Sequence, residues 1–222
     1  MTGVQTCALP IYNNTGLKHC FTQIPISILT SGLPNIFVSI DSLDLPTALL
    51  ASPSSDLTSH PSLPTLLEKI RSTAASQFDI PLSLASPKIT LLGPLPADGF
   101  TSSAGVFVHP DEADLLVRAV SSGDFHATIP GTTLGALNLG LGIPGTVVHD
   151  VARSAGNAPA QDGDVITVRA AHAAGVSSAS VRFEGEGEAR TPTSVVMMRT
   201  AREIMRGTIE CPERIFNGEL VE

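Results

Sequence analysis

Hydrophobic and polar positions along the 222-residue chain change period several times, and each change predicts an element. Ile24 to Leu29 and Asn35 to Ile40 are short apolar runs around Thr30-Ser31-Gly32-Leu33-Pro34, which predicts two strands joined by a turn. Asp41 to Pro64 has no clear period. Its Ser52-Pro53, His60-Pro61 and Leu63-Pro64 dipeptides mark a loop or lightly structured insertion. Thr65 to Gln77 places Leu66, Leu67, Ile70 and Ala74 at helical spacing, with Pro64 near the start. Ile89 to Leu92 reads as a buried strand. Pro110-Asp111-Glu112 is expected to open a helix with Leu115, Leu116, Ala119 and Val120 on its apolar face and Gly123 past its end.

Thr132 to Gly142 is a small-residue helix or an irregular buried segment, broken by Ile143-Pro144-Gly145-Thr146. A turn at Asp162-Gly163-Asp164 opens a strand over Val165 to Val168. His172 to Gly175 reads as a loop, and Val176 to Phe183 and Thr193 to Met198 read as strands. The acidic run Glu184 to Glu188 is expected to be a solvated hairpin loop. Thr200 to Arg206 fits a helical turn or a continuing strand equally well. These elements predict a mixed α+β fold of mostly short strands.

Composition narrows the function classes. The formal net charge is -8, from 13 Lys+Arg against 21 Asp+Glu, and no basic run exceeds two residues. A phosphate-backbone footprint is therefore absent, and no nucleic-acid partner is expected. The uncharged run from Phe125 to Val148 invites a membrane test. Its glycines, prolines and threonines break it too often for a span of about 20 apolar residues, so no membrane partner is expected. Cys7, Cys20 and Cys211 make no C-x-x-C pair or metal cluster, which points to a reducing, cytoplasmic setting and no metal.

Residues 1–11 resemble the in-frame translation of a sequencing-adaptor primer and are expected to lie outside the native fold. On that reading the chain is a fragment. Residues 12–23 are a leader of uncertain nature, 24–211 one domain with 41–64 as its loop insertion, and 212–222 a tail.

The motif that narrows the field most is Arg199-Thr200-Ala201-Arg202-Glu203-Ile204-Met205-Arg206-Gly207. It is similar to the closing R-T-A-R-x-I-M-x-G signature of the PrpF family of 2-methylaconitate cis–trans isomerases, methylitaconate isomerases and their relatives. His126 with Ile143-Pro144-Gly145-Thr146-Val147-Val148 fits the same family. So do Ser86-Pro87-Lys88-Ile89, Thr101-Ser102-Ser103, and Asp114-Leu115 with Arg118. Gly32 and Pro34 before Phe37-Val38 resemble its D-A-G-N-P loop, and His172 to Gly175 its G-H-P-S-G loop. Leu33 replaces the family Asn, and Ala173 and Ala174 replace its Pro and Ser.

The resemblance implies a diaminopimelate-epimerase-like fold: two α+β domains, each a curved mixed sheet wrapped around a central helix, with the active site between them. It matches the second domain, with a returning C-terminal segment. It implies that the catalytic Cys and Lys belong to a missing first domain, which would be a partner of this one. It further implies a cofactor-independent isomerase that shifts a double bond in a small unsaturated di- or tricarboxylate. The alternative is a catalytically inactive half that binds carboxylates weakly or associates through its inter-domain face.

Such chemistry needs a cradle for carboxylates, which glycine turns and helix N-termini supply through unpaired amides. Pro130-Gly131-Thr132-Thr133 is the leading candidate, with a plain helix cap as the competing account. Further candidates are Ser31, Gly32 and Pro34 in the first turn, the hydroxyl pair Ser102 and Ser103, and His172 with Gly175. His172 is a weak candidate acid or base. Lys88 reads as a surface charge at a strand start, and Asp111, Glu112 and Asp114 as a solvated helix start.

Overall fold

The computed structural model describes residues 23–156, 160–185, 190–198 and 202–208, together with the backbone of 4–9. The first predicted strand pair forms as β2 (Ile24–Ser31) and β3 (Leu33–Ser39). Ser31 pairs with Leu33 across Gly32, whose φ of +92° is a conformation that favours glycine. Before them, β1 (Val4–Leu9), inside the adaptor-like stretch, pairs antiparallel with β2.

The 41–64 segment is more ordered than its composition suggests. It forms 3-10 turns at Asp41–Leu43 and Thr47–Ala51 and a short helix α1 (Ser54–Thr58), and runs into α2 (Leu63–Gln77). Leu43, Leu50, Leu57 and Leu63 enter the core that α2 forms with one face of the sheet. Its apolar residues follow no single period because several short turns, not one helix, carry them inward.

After β4 (Lys88–Gly93) comes a small hairpin of β5 (Phe100–Thr101) and β6 (Phe107–Val108). The expected helix after Pro110 is instead strand β7 (Leu115–Ser121). The run Leu-Leu-Val-Arg-Ala-Val is buried on both faces, between β4 and β10 (Val165–His172), and such a central strand shows no alternation. Glu112 does not start a helix; its carboxylate accepts from the His109 amide at 2.7 Å. Asp114 is fully buried rather than solvated. It accepts from Arg169 Nη2 and from the Arg169 backbone N–H, each at 2.7 Å, and so pins the parallel β7–β10 junction.

Strand β8 (Asp124–Phe125) folds back on β7, and the small-residue segment forms helix α3 (Gly131–Leu141). A second helix, α4 (Val147–Ser154), starts at Thr146, whose hydroxyl accepts from the His149 amide. Periodicity alone does not reveal it in so short a stretch. Strands β9 (Ala160–Asp162), β10, β11 (Gly175–Glu184) and β12 (Thr191–Met197) follow. His172 is the last residue of β10, not a loop residue. Residues 202–208 of the closing motif are exposed and without regular structure; 199–201, Cys20 and Cys211 lie outside the described residues, as does part of the acidic run.

Among the described residues the main sheet has ten strands in the order β1-β2-β3-β4-β7-β10-β11-β12, with β8 beside β7 and β9 beside β10. It is mixed, with parallel β3–β4 and β7–β10 pairs. It curves around α3, which packs on β2, β3, β10, β11 and β12. The approach is close. A Cβ on Gly140 would lie 2.5 Å from Leu29, and one on Gly142 would strike the Phe183 ring. Among the described residues no helix is long and apolar enough to cross a membrane.

Arg118 fastens the 41–64 segment from beneath. It is 1 % exposed, and it donates to Ser52 O at 3.1 Å and Ser54 Oγ at 2.8 Å. Burial pulls its guanidinium down to about 10, so it stays charged at neutral pH. Arg118→Leu is expected to lower stability by about 1–3 kcal/mol in urea unfolding, through loss of charge-assisted bonds. Limited proteolysis should then cut first within 41–58; an unchanged cleavage pattern would refute the clamp.

Candidate functional site

The β2–β3 turn and the start of β4 meet at the N-terminal end of α3, and the β10–β11 turn is tied to the loop that leads into it. The helix follows Pro130, which is extended at ψ 143°, and its first bond runs from Leu134 N–H to Pro130 O at 2.9 Å. The amides of Gly131, Thr132 and Thr133 precede that bond, and the N-cap residue Pro130 makes no side-chain cap hydrogen bond. Thr133 Oγ1 donates to Asn35 Oδ1 at 2.7 Å, and Thr132 Oγ1 accepts from Lys88 Nζ at 3.2 Å.

Lys88 is thus no idle surface charge. It is half-buried at the start of β4, and burial lowers its ammonium from the ordinary value. No spacing in the sequence signals this contact, because 44 residues separate Lys88 from Thr132. The β2–β3 turn lies against the same helix end. A Cβ on Gly32 would lie 3.3 Å from the Thr132 methyl, and one on Gly135 would lie 2.6 Å from Ser31 Oγ. Asn35 is buried and holds the turn through Nδ2 to Leu33 O at 2.7 Å, while Pro34 is half-buried opposite Thr30. Ser31, Gly32, Thr132 and Thr133 therefore gather at one place.

The β10–β11 turn forms the second wall. Ala174 N–H donates to Ala127 O at 2.9 Å, tying this turn to the loop that leads into α3. His172 is 5 % exposed, and its Nε2 lies 2.8 Å from Ser177 Oγ. Burial pushes its imidazole below the ordinary value; the Ala127 carbonyl opposes this shift and the Arg118 charge adds to it. Gly175 completes the turn at φ +137°. Ser177, five residues after His172, was not singled out by sequence pattern. Exposed His126 is lowered by partial desolvation, then by the Lys88 charge, with Asp124 acting against both.

Ser103 joins this wall through its backbone N–H, which donates to Ala173 O at 2.7 Å. Ser102 is buried, and its Oγ accepts from the Val106 amide within its own loop. Among the described residues no group of three or more His, Cys, Asp or Glu is placed to hold a metal ion.

The buried His172 ties stability to pH. Its folded-state value is lowered, so below the unfolded value of about 6.5 the unfolded chain takes up a proton that the folded one refuses. Its contribution is full above that pH and declines as the pH falls towards the folded value. Urea midpoints between pH 8 and pH 5 should fall more steeply for the native chain than for His172→Gln. Parallel slopes would refute the assignment; lowered His126 acts equally in both.

The PrpF protein family model matches residues 5–212. The 2-methyl-aconitate isomerase of Shewanella oneidensis is 27 % identical over 194 residues, covering 84 % of this chain and 46 % of that protein. That of Cupriavidus necator is 28 % identical over 204 residues, covering 86 % and 46 %. This chain thus spans about half the length of the curated relatives it matches. The crystal structure of methylitaconate-delta-isomerase superposes with a TM-score of 0.68 at 24 % identity, over 91 % of this chain and 48 % of that one. The fold is therefore the diaminopimelate-epimerase-like one that the curved sheet and central helix suggested. With the family model matched along nearly the whole chain, this protein belongs to the PrpF family.

Proposed function

We propose that the chain provides one wall of the active site of a cofactor-independent isomerase that shifts a double bond in a small unsaturated di- or tricarboxylate of the 2-methylaconitate type. The observation that carries this reading is the Lys88–Thr132 contact beside the uncapped amides of Gly131–Thr133. Amides and a neighbouring ammonium attract a carboxylate and favour negative charge at the same spot.

In the reaction, a base removes a proton from the carbon next to the double bond. The electron pair spreads through the alkene onto a carboxylate as a dienolate, and a proton returns at the far end of the allyl unit. Charge grows on the carboxylate oxygens during this step, so a preorganised cradle lowers the barrier. The resemblance assigns the Cys and Lys that move the protons to a further domain. Consistent with that reading, the chain covers less than half of its curated isomerase relatives.

A second reading follows for the chain by itself: it binds carboxylates without turning them over. Proton NMR of 2-methylaconitate with this chain alone is expected to show no double-bond shift, and turnover would overturn the requirement for a further domain. Lys88→Ala is expected to weaken binding of propane-1,2,3-tricarboxylate about tenfold, the loss of one charge-assisted hydrogen bond. Unchanged affinity in calorimetry would refute the cradle.

A further inference from the structure

We infer that β12 is a strap that swings away from α3 while the rest of the sheet stays folded, and that the buried amide of Asn138 holds it close to release. The inference is independent of the carboxylate reading, because it concerns the packing of one strand and no ligand.

Asn138 lies within α3 and is fully buried, yet neither its Nδ2 nor its Oδ1 makes a hydrogen bond. It sits one turn after Leu134 and Gly135 and one turn before Gly142, so these residues share a face of the helix. That face meets the last two strands. A Cβ on Gly135 would lie 3.7 Å from the Val195 side chain, and the Phe183 ring lies against Gly142. Leu134 lines the same cavity as Met197. The β11–β12 pair therefore covers an amide that has lost water and gained no partner, and β12 is its outer member. Such a group costs the desolvation of both its donor and its acceptor, and undocking β12 lets water return to it.

Little opposes that release. Every residue of β12 is at least partly exposed, whereas Ala179, Val181 and Phe183 of β11 are buried. Among the described residues β12 pairs with β11 alone, and Val195 and Met197 are its side chains packed on the α3 core. Its two ends differ. At the start, the Arg190 guanidinium lies 4.6 Å from the centroid of the buried Phe183 ring, and Thr193 Oγ1 donates to Arg182 O at 3.4 Å. Past the other end, Met198 is exposed and residues 202–208 are exposed and irregular. The strap is thus anchored near Arg190 and lifts from Met197. Met197 and Met198 line a cavity of about 410 Å³ with Ile129 and Leu134, so lifting them opens that side of it. β11 keeps its ladder with β10 throughout, and the opening stays local.

Amide hydrogen exchange of the full chain, read residue by residue by NMR, tests the strap. The β12 amides that bond β11 should exchange about tenfold or more faster than the bonded amides of β10, which open only with the whole sheet. Asn138→Leu replaces the amide by an apolar group of similar volume and should slow exchange in β12 about tenfold. Val195→Ala loosens the strap and should speed it several-fold. Equal exchange in β12 and β10 of the native chain would overturn the strap, and so would unchanged β12 exchange in Val195→Ala. Unchanged or faster β12 exchange in a folded Asn138→Leu would overturn the role of the amide. The native comparison and Val195→Ala decide the strap even where Asn138→Leu fails to fold.

Discussion

The close contact between α3 and the sheet that curves around it is the constraint on which the rest depends. Helix–sheet separation is set by the side chains at the contact, and α3 and its C-cap present glycine at Gly135, Gly140 and Gly142 where Ser31, Leu29 with Val148, and Phe183 meet them. With no Cβ at those points the sheet can close on several sides of one eleven-residue helix. A helix buried on so many sides has no polar stripe, and α3 accordingly carries apolar or small residues nearly all round. Its one accessible polar feature is its N-terminal end.

That end draws its chemistry from this enclosure. The walls that wrap the helix terminate in the β2–β3 turn, which touches Thr132, and the β10–β11 turn, which is tied to the loop leading into the helix. Desolvation lowers Lys88, His126 and His172, and the Lys88 charge lowers His126 further, so a half-buried ammonium lies near one of two imidazoles biased towards neutrality. In a chain of net charge -8, this concentrates an anion-attracting region at one point of an otherwise acidic protein. The opposite face of the sheet carries α2 and the 41–64 segment, fastened by Arg118, and keeps the strands beneath the site in register.

Much of the fold was legible from pattern. The strand pair around Gly32, the α2 helix, the β4 strand and the β10–β11–β12 run follow from runs and turn residues that local sterics favour in any context. The misreadings share a cause. Leu115 to Val120 fits helical spacing as well as a strand, and the choice falls to strand only because β4 and β10 flank it. Asp114 resembles an exposed acidic cap until Arg169, 55 residues later, neutralises it in the core.

By itself the sequence determined the α+β class, most element positions, the family motifs, and the glycine and threonine composition of the α3 end. Those follow from conformational preferences acting over a few residues. Tertiary structure alone decided that Lys88 serves Thr132, that Thr133 is held by Asn35 rather than capping its own helix, and that Ser102 serves its own loop. The first two pair groups 44 and 98 residues apart. No local preference encodes such contacts; they form because curling one sheet around a glycine-bearing helix brings distant turns to the same end.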